Sequence, residues 1–220
     1  MKNLIIDSRI RNKEYSYLNK FFNVVKLPLS DDVYEEISGH SDIFYCKIHN
    51  EIIAAPNSVI KDMNFKIGKS VVKRAYPNDV PYNVCQVGNK IVGSKYTDKS
   101  IKPDILVKQG YIKCSIAVTG DNSCITSDKG IEKALKKEGI DVLYVEENNI
   151  KLLKKDGSVS KMKGFIGGAT LVFDNKFVIF GDSNYLNNKE KLLEHLHKHQ
   201  LELIDFEGLE IYDYGGGIIY

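Results

Sequence analysis

Near its middle the chain reads Ser115-Ile-Ala-Val-Thr-Gly-Asp-Asn-Ser-Cys-Ile-Thr126, two short apolar runs that meet at Asp121-Asn122. Asn, Asp and Gly tolerate the backbone conformations that tight turns need, so this stretch predicts a β-hairpin. Residues 128–139 follow with the pattern of an amphipathic helix, and Gly139 is typical of a helix C-cap. A third apolar run, Ile140-Asp-Val-Leu-Tyr-Val145, then completes a unit of hairpin, helix and strand.

The same unit recurs along the chain. Four internal asparagines each open an apolar run: Asn50-Glu-Ile-Ile-Ala54, Asn89-Lys-Ile-Val-Gly93, Asn122-Ser-Cys-Ile-Thr126 and Asn175-Lys-Phe-Val-Ile179. A strand-like run precedes each of them: Ile43–Ile48, Val84–Val87, Ser115–Val118 and Thr170–Phe173. We expect a helix-compatible stretch after each hairpin, as in Asn187–Gln200 before the strand Leu201–Phe206. Repetition of this kind predicts a modular fold.

A fifth copy stands at the start, where Asn3-Leu-Ile-Ile-Asp7 is followed by a helical stretch, Asn12–Phe22, and a strand, Asn23–Leu27. This copy lacks its first strand, and Gly215-Gly-Gly-Ile-Ile-Tyr220 is an apolar strand that could supply it. Pairing the two segments would close the modules into a ring and remove exposed strand edges. The sequence thus predicts an α/β fold of five modules with pseudo-fivefold symmetry, forming a single domain over residues 1–220. An ordinary layered α/β domain with mixed strands is the alternative if the asparagine turns are coincidental.

Composition narrows the class of protein. The 220 residues are 43% hydrophobic, and 31 Lys and Arg stand against 29 Asp and Glu, interleaved along the chain. Such a balanced and interleaved distribution of charges does not predict a nucleic-acid-binding protein. Neither a secretory signal nor a transmembrane stretch is present, and four cysteines without a Cys-x-x-Cys pair fit a reducing compartment. We therefore expect a cytoplasmic protein with no nucleic-acid or membrane partner, while its oligomeric state stays open.

Two motifs resemble a known family. Gly39-His40-Ser41-Asp42 is similar to the Gly-His-x-Asp segment of the penteins, the five-module α/β propellers of the guanidino-group-modifying enzymes. Gly215-Gly216-Gly217 is similar to the glycine run that precedes their nucleophilic Cys. The architectural resemblance spans nearly all of residues 1–220, whereas these two segments alone carry the motifs. In the penteins the Cys follows the glycine run after three further residues, and this sequence reaches only Tyr220, so the resemblance is to a member without the usual C-terminal catalytic Cys.

The resemblance implies a protein that binds, or hydrolyses at a C–N bond, a small polar or cationic guanidino or amidino compound in a central channel. It also allows a second interpretation, because the ribosome anti-association factor of eukaryotes and archaea is a pentein without this chemistry. In that case the chain is a non-catalytic protein that docks a macromolecular partner through the face of the ring.

Guanidine chemistry needs a thiolate to attack the central carbon, carboxylates to hold the planar cation and a His to move protons. Counting eight positions back from the turn asparagines gives Asp42, Pro81, Cys114 and Gly167, and ten back gives His40, Asp79, Ile112 and Phe165. Of these, His40, Asp42, Asp79 and Cys114 carry side chains suited to this chemistry. These four residues are the predicted catalytic set. Their alternatives are local: His40, Asp42 and Asp79 could shape turns, and Cys114 could be a buried apolar residue misplaced by a register error.

The remaining cysteines and histidines are expected to be structural. Cys46, Cys85 and Cys124 align with apolar positions of the repeat, which predicts small buried side chains. His195 and His199 are i, i+4 neighbours that could hold a metal, but no third ligand is apparent. The leucine stripe of their helix places these two residues and His197 on its solvated face. We therefore predict neither a metal nor a cofactor.

Overall fold

The computed structural model describes residues 1–146 and 148–220, which fold as a mixed α/β protein of small sheets and few helices. The strands are β1 (Lys2–Asp7), β2 (Phe22–Leu27), β3 (Tyr45–Ile48), β4 (Glu51–Ala54), β5 (Lys66–Ile67), β6 (Cys85–Val87), β7 (Lys90–Gly93), β8 (Ile105–Leu106), β9 (Ile116–Gly120), β10 (Ser123–Thr126), β11 (Asp141–Tyr144), β12 (Ile150–Leu153), β13 (Val159–Lys163), β14 (Thr170–Phe173), β15 (Lys176–Ile179), β16 (Glu202–Ile204), β17 (Ile211–Tyr212) and β18 (Ile218–Ile219). The α-helices are α1 (Asn12–Leu18), α2 (Ser41–Phe44), α3 (Ile112–Ser115), α4 (Lys129–Lys137) and α5 (Lys189–Lys198), and 3₁₀ turns lie at Glu35–Ile37 and Ser183–Tyr185.

All four predicted hairpins are confirmed. Strands β3 and β4, β6 and β7, β9 and β10, and β14 and β15 pair antiparallel around the turn asparagines. Three of the four turns contain a residue in the left-handed backbone region, with φ of +65° at Asn50, +58° at Gly88 and +49° at Asp174. The local turn chemistry therefore determines where each hairpin lies.

Six three-stranded sheets lie within residues 1–146 and 148–220, and five of them share one arrangement. In each of the five, the strand before the central one pairs with it antiparallel and the strand after it pairs parallel, as β9 and β11 do with β10, if β18 is taken to precede β1. In the sixth sheet the antiparallel partner, β13, follows the central strand instead. The central strands are β1, β4, β7, β10 and β15. This common order matches the predicted repeat of hairpin and third strand.

The predicted pairing of the two ends of the sequence is confirmed. Strand β18 runs antiparallel to β1, with Ile219 opposite Leu4 and Ile218 opposite Ile5. Two further backbone hydrogen bonds extend the pair, from Asn3 N to Tyr220 O at 2.8 Å and from Tyr220 N to Asn3 O at 3.0 Å. Ile218 is buried in the same core cluster as Ile5. The C-terminal segment therefore supplies the strand that the first module lacks.

Helix α4 forms because its sequence carries both a start signal and an apolar stripe. The Asp128 carboxylate accepts a hydrogen bond from the backbone N of Ile131 at 2.8 Å, and Gly139 follows the helix at φ +78°. Ile131 and Leu135 are fully buried. Burial of each stabilises the fold by about 1.5–3 kcal/mol, which anchors the helix against its sheet.

Helices are missing where we expected them after β4 and β7. Over the described residues 55–65 and 94–104 the chain forms turns instead, so this prediction is wrong. Side-chain bonds to the backbone take the place of helical ones: Asn57 bonds both N and O of Val72, and Asp98 accepts from the backbone N of Lys69, Ser70 and Ser100. Short polar side chains that satisfy backbone groups in this way compete with helix formation.

At two strands, a short helix takes the place of the first residues of the predicted strand. Ile43 and Phe44 belong to α2, and Ser115 belongs to α3, so β3 starts at Tyr45 and β9 at Ile116. In both places a single helical turn precedes the strand. These two turns carry residues of the candidate site described below.

The prediction for the histidines of α5 holds only in part. His197 is exposed, whereas His195 is buried at 7% exposure and His199 is half-buried. His195 is buried because its Nε2 lies 2.9 Å from Thr119 Oγ1 of β9, a polar partner that the helical pattern does not reveal.

A sixth sheet was not predicted. It consists of β12 with β13 antiparallel on one side and β17 parallel on the other, with Ile150 opposite Ile211. Its strands come from the segment between β11 and β14 and from the residues that precede the glycine run. None of the helices among the described residues is long and apolar enough to span a membrane.

Candidate functional site

The candidate site lies where the single helical turns precede β3 and β9. His40 is the N-cap of α2, Asp42 lies within α2, and Cys114 lies within α3. Asp213 lies between β17 and the glycine run that precedes β18. Each of these residues therefore stands just before the first strand of a module.

The structure brings three of the four predicted residues together. Cys114 Sγ donates a hydrogen bond to Asp42 Oδ2 at 2.9 Å. One nitrogen, oxygen or sulfur atom from each of His40, Asp42 and Cys114 lies within 4.8 Å of the corresponding atoms of the other two. All three side chains are buried. A thiol, an imidazole and a carboxyl thus form one contact group.

Asn83 holds this group in place. Its Oδ1 accepts from the backbone N of Lys113 at 2.7 Å and of Cys114 at 3.3 Å. Its Nδ2 donates to Asp42 O at 3.2 Å and lies 3.3 Å from Cys114 Sγ. Asn83 is fully buried, so one amide fixes the helical turns of two modules relative to each other.

Asp213 adds a second carboxyl. Its Oδ1 lies 3.8 Å from His40 Nδ1, and its oxygens accept from the backbone N of Phe165 and of Gly215, each at 2.8 Å. The glycine run makes this approach feasible. Gly215 has φ +70°, and a Cβ there would lie 2.5 Å from His40 Cβ and 2.8 Å from Asp42 Oδ1.

Asp79, the fourth predicted residue, is not part of the contact group. It is buried, and its Oδ2 accepts a hydrogen bond from the hydroxyl of Tyr111 at 2.6 Å. Tyr111 lines the same cavity as Cys114. The structure therefore connects Asp79 to the site through Tyr111.

Several polar atoms here lack a hydrogen-bond partner among the residues that the structure describes. They are both ring nitrogens of His40, Ser41 Oγ, Asp42 Oδ1 and Asp79 Oδ1. Leaving a buried polar atom unsatisfied costs about 1–3 kcal/mol, and such a concentration of unsatisfied atoms is typical of a functional site rather than of an ordinary core.

Burial also determines the protonation of the group. It raises the pKa of Asp42 to about 6, and it raises the pKa of Asp213. Burial lowers the pKa of His40, which keeps the imidazole neutral. Burial and the neighbouring Asp42 raise the pKa of the Cys114 thiol well above its ordinary value. The thiol is therefore protonated when nothing else occupies the site.

A cavity of about 360 Å³ opens onto the group. Its lining includes His40, Cys114 and Asp213 and the charged residues Glu36 and Lys163, and the rest of the wall is aromatic or aliphatic: Tyr34, Ile37, Tyr111, Leu152, Met162 and Phe165. The rings of Tyr111 and Phe165 are stacked with centroids 6.4 Å apart. An apolar wall with a few convergent polar groups is typical of a small-molecule site.

The other cysteines are buried as predicted. Cys46, Cys85 and Cys124 are at most 3% exposed, and all four cysteines of the chain are free. Burial raises the pKa of Cys85 to about 11 and raises those of Cys46 and Cys124 further. Cys114 differs from them in its hydrogen bond to a carboxyl.

Sequence reasoning missed Asp213, Asn83 and Tyr111. The repeat could have predicted one of them, Asp213. Counting back ten positions from Asn3, with Tyr220 taken as the neighbour of Met1, arrives at Asp213, the position equivalent to His40 and Asp79. No comparable signal leads to Asn83 or Tyr111.

Comparison with known proteins shows which family the chain belongs to and which known structure has a similar fold. A family described as one of unknown function (DUF6873) matches residues 5–219, and the chain belongs to this family. The fold is similar to that of the solved structure of C. jejuni agmatine deiminase, with a TM-score of 0.50 and 11% identity over 92% of this chain and 74% of that one. No curated protein matches the sequence significantly. At this identity the likeness concerns the fold alone, and at that level it supports the resemblance that the motifs indicate.

Proposed function

We propose that residues 1–220 form a single pentein-fold domain, a propeller of five α/β modules closed by β18 against β1. Three observations support this arrangement. Five sheets within the described residues share one strand order, β18 pairs with β1, and the fold is similar to that of an agmatine deiminase. The sixth sheet is then an insertion beside the ring.

We further propose that the cavity binds a small guanidino or amidino cation and that Cys114 cleaves a C–N bond in it. The observation that carries this proposal is the buried thiol of Cys114, 2.9 Å from Asp42 Oδ2 and within a group that includes the unpartnered ring of His40. A thiol beside a base is the arrangement that nucleophilic catalysis requires.

The two carboxyls suit a planar cation. Asp42 Oδ1 has no hydrogen-bond partner among the described residues, and Asp213 Oδ1 lies 3.8 Å from His40 Nδ1. A guanidinium offers paired N–H donors, which carboxylates accept in a bidentate manner. Binding of the cation would also lower the pKa values of Asp42 and Cys114, because a positive charge favours the ionised form of both. The thiol would thus ionise only when the ligand is present.

The reaction balances with these residues alone and water. The thiol proton passes to Asp42 as sulfur bonds to the central carbon. The neutral His40 relays that proton from Asp42 to the leaving amine as the C–N bond breaks. Water then attacks the carbon, one of its protons passes through His40 to the sulfur as the C–S bond breaks, and the remaining proton leaves with the amine as an ammonium ion. A guanidine would give a urea and an amine or ammonia. Asp79 does not contact the ligand in this mechanism. It positions the Tyr111 hydroxyl through their 2.6 Å hydrogen bond.

Product analysis with a series of alkylguanidines and alkylamidines tests the proposal, with alkylammonium ions of equal length as controls. We expect release of amine or ammonia, and an acid-quenched adduct on Cys114 visible by mass spectrometry. Cys114→Ser should abolish both. Cys124→Ser, a matched change at a buried cysteine outside the cavity, should retain both.

A folded protein that neither binds nor cleaves any of these cations would overturn the catalytic proposal. Retention of turnover by Cys114→Ser would overturn the assignment of the nucleophile. The first result would leave the docking of a macromolecular partner through the ring face as the function to pursue.

A further inference from the structure

A second cluster of side chains lies away from the cavity, where the end of α5 meets the start of β11. Asp141 is the first residue of β11, and His195 and His199 lie four residues apart at the end of α5. One nitrogen or oxygen atom from each of the three lies within 4.8 Å of the corresponding atoms of the other two. Asp141 is the third candidate ligand that the sequence alone did not reveal.

The histidine rings face each other and the carboxyl. Their centroids are 4.6 Å apart, and His199 Nε2 lies 2.7 Å from Asp141 Oδ2. Two imidazoles at i, i+4 spacing with a carboxylate from another element form a common set of zinc ligands. Nitrogen and oxygen donors of this kind favour Zn²⁺ over the hard cations Mg²⁺ and Ca²⁺.

Neighbouring hydroxyls orient His195. Its Nε2 lies 2.9 Å from Thr119 Oγ1, which in turn lies 2.8 Å from Ser123 Oγ. When Nε2 donates to Thr119, Nδ1 carries the lone pair that a metal needs. Metal-binding histidines almost always use their second ring nitrogen in this way.

We propose that Asp141, His195 and His199 bind one Zn²⁺ ion, with a fourth position open to solvent. The ion replaces the hydrogen that His199 and Asp141 share in the metal-free protein. Because Asp141 belongs to the β9–β10–β11 sheet and the histidines belong to the helix before β16, the ion fastens two neighbouring modules together. This site is independent of the proposed chemistry at Cys114.

Lys198 competes with the ion. Its Nζ lies 2.8 Å from Asp141 Oδ2, and its side chain is 64% exposed. The lysine can therefore turn into water when a cation takes its place. Removal of its charge should favour metal binding, the opposite of what removal of a ligand does.

Isothermal titration of the metal-free full chain with Zn²⁺, and absorption spectroscopy with Co²⁺, test the proposal. We expect saturable binding of one ion per chain, weakened by at least ~10-fold in His199→Ala and Asp141→Asn. Lys198→Met should bind more tightly than the wild type. His197→Ala, on the exposed face of the same helix, is the matched control and should bind as the wild type does.

The Co²⁺ spectrum identifies the site. Bands of tetrahedral cobalt without a thiolate-to-metal charge-transfer band are expected at Asp141, His195 and His199. A thiolate band that disappears in Cys114→Ala would place the ion at the other cluster and overturn the proposal. So would absence of binding, or equal affinity of His199→Ala and His197→Ala when circular dichroism shows both folded.

Discussion

Asp42 is a carboxyl group with one hydrogen-bonded oxygen and one unpartnered oxygen in a buried place. Burial raises its pKa to about 6 from an ordinary 3.8, so the folded protein holds a proton that the unfolded chain loses. The resulting stabilisation is complete below about pH 4 and is lost as the pH rises through about 6. At roughly 1.4 kcal/mol per pKa unit, the loss amounts to about 3 kcal/mol.

Asp42→Asn should therefore flatten the pH dependence of the free energy of unfolding. We expect the variant to gain stability relative to the wild type between pH 4 and pH 7, as measured by urea unfolding. Asp156→Asn, a change at an exposed carboxylate, serves as the control and should not flatten the profile in this direction. Parallel profiles for Asp42→Asn and the wild type would contradict the raised pKa.

Asp42 also shows which residues of the candidate site could be predicted from their position in the repeat. Asp42 and Cys114 occupy equivalent positions before their turn asparagines, and the structure places them in contact. In the proposed ring, equivalent positions would converge on the axis, which accounts for this contact. Asn83 could not be found in this way, because its role depends on the direction of an amide that bonds two backbone groups.

At the scale of elements, the glycine run before β18 leaves the space that the side chains of the candidate site need. Gly215 combines φ +70° with a Cβ position 2.5 Å from His40 Cβ. Gly208 has φ +75° with nothing within 4 Å of its Cβ position. A residue with a side chain would be strained by the left-handed backbone at either position, but only at position 215 would its Cβ also clash with neighbouring residues.

Gly208→Ala should cost about 1–2 kcal/mol of stability, the cost of the left-handed backbone in an L-residue. Gly215→Ala should cost more by about 1–3 kcal/mol, because the added methyl also displaces His40. Urea unfolding measures both. An equal cost for the two variants would show that the run packs loosely against the site.

The elements that the sequence predicted well are those fixed by local chemistry. The turns at Asn50 and Asn175 are short, and their backbone geometry follows from the residues in them. The loops after β4 and β7 were mistaken for helices because Asn57 and Asp98 bond to backbone groups that are distant in sequence. The sixth sheet was missed because β13 is mostly exposed and so lacks the apolar alternation that marks a strand.

At the scale of the molecule, the antiparallel pair of β1 and β18 makes the ends of the sequence neighbours. A circular permutant that joins Tyr220 to Met1 through a short glycine linker, and opens the exposed turn between Asp156 and Gly157, should therefore fold. Exposed turns tolerate new termini because few buried contacts cross them. We expect the loss in free energy of unfolding to stay within about 3 kcal/mol, the range of an ordinary substitution.

Circular dichroism and urea unfolding of the permutant provide the measurement. The same permutant with Ile218→Lys is the control, because a charge on that buried side chain should prevent closure. A permutant that stays unfolded, or one that tolerates the lysine, would show that the β1–β18 pair contributes little.

The pairing of β1 with β18 also sets an order of events during synthesis. Strand β1 leaves the ribosome before β2 to β17, and its antiparallel partner β18 emerges after them, about 10–40 seconds later at ordinary elongation rates. During that interval β2 pairs with one edge of β1, while the N–H and C=O groups of the other edge are unpaired and can form hydrogen bonds with a strand of another chain. A nascent chain of this protein is therefore exposed to aggregation at this edge until β18 arrives.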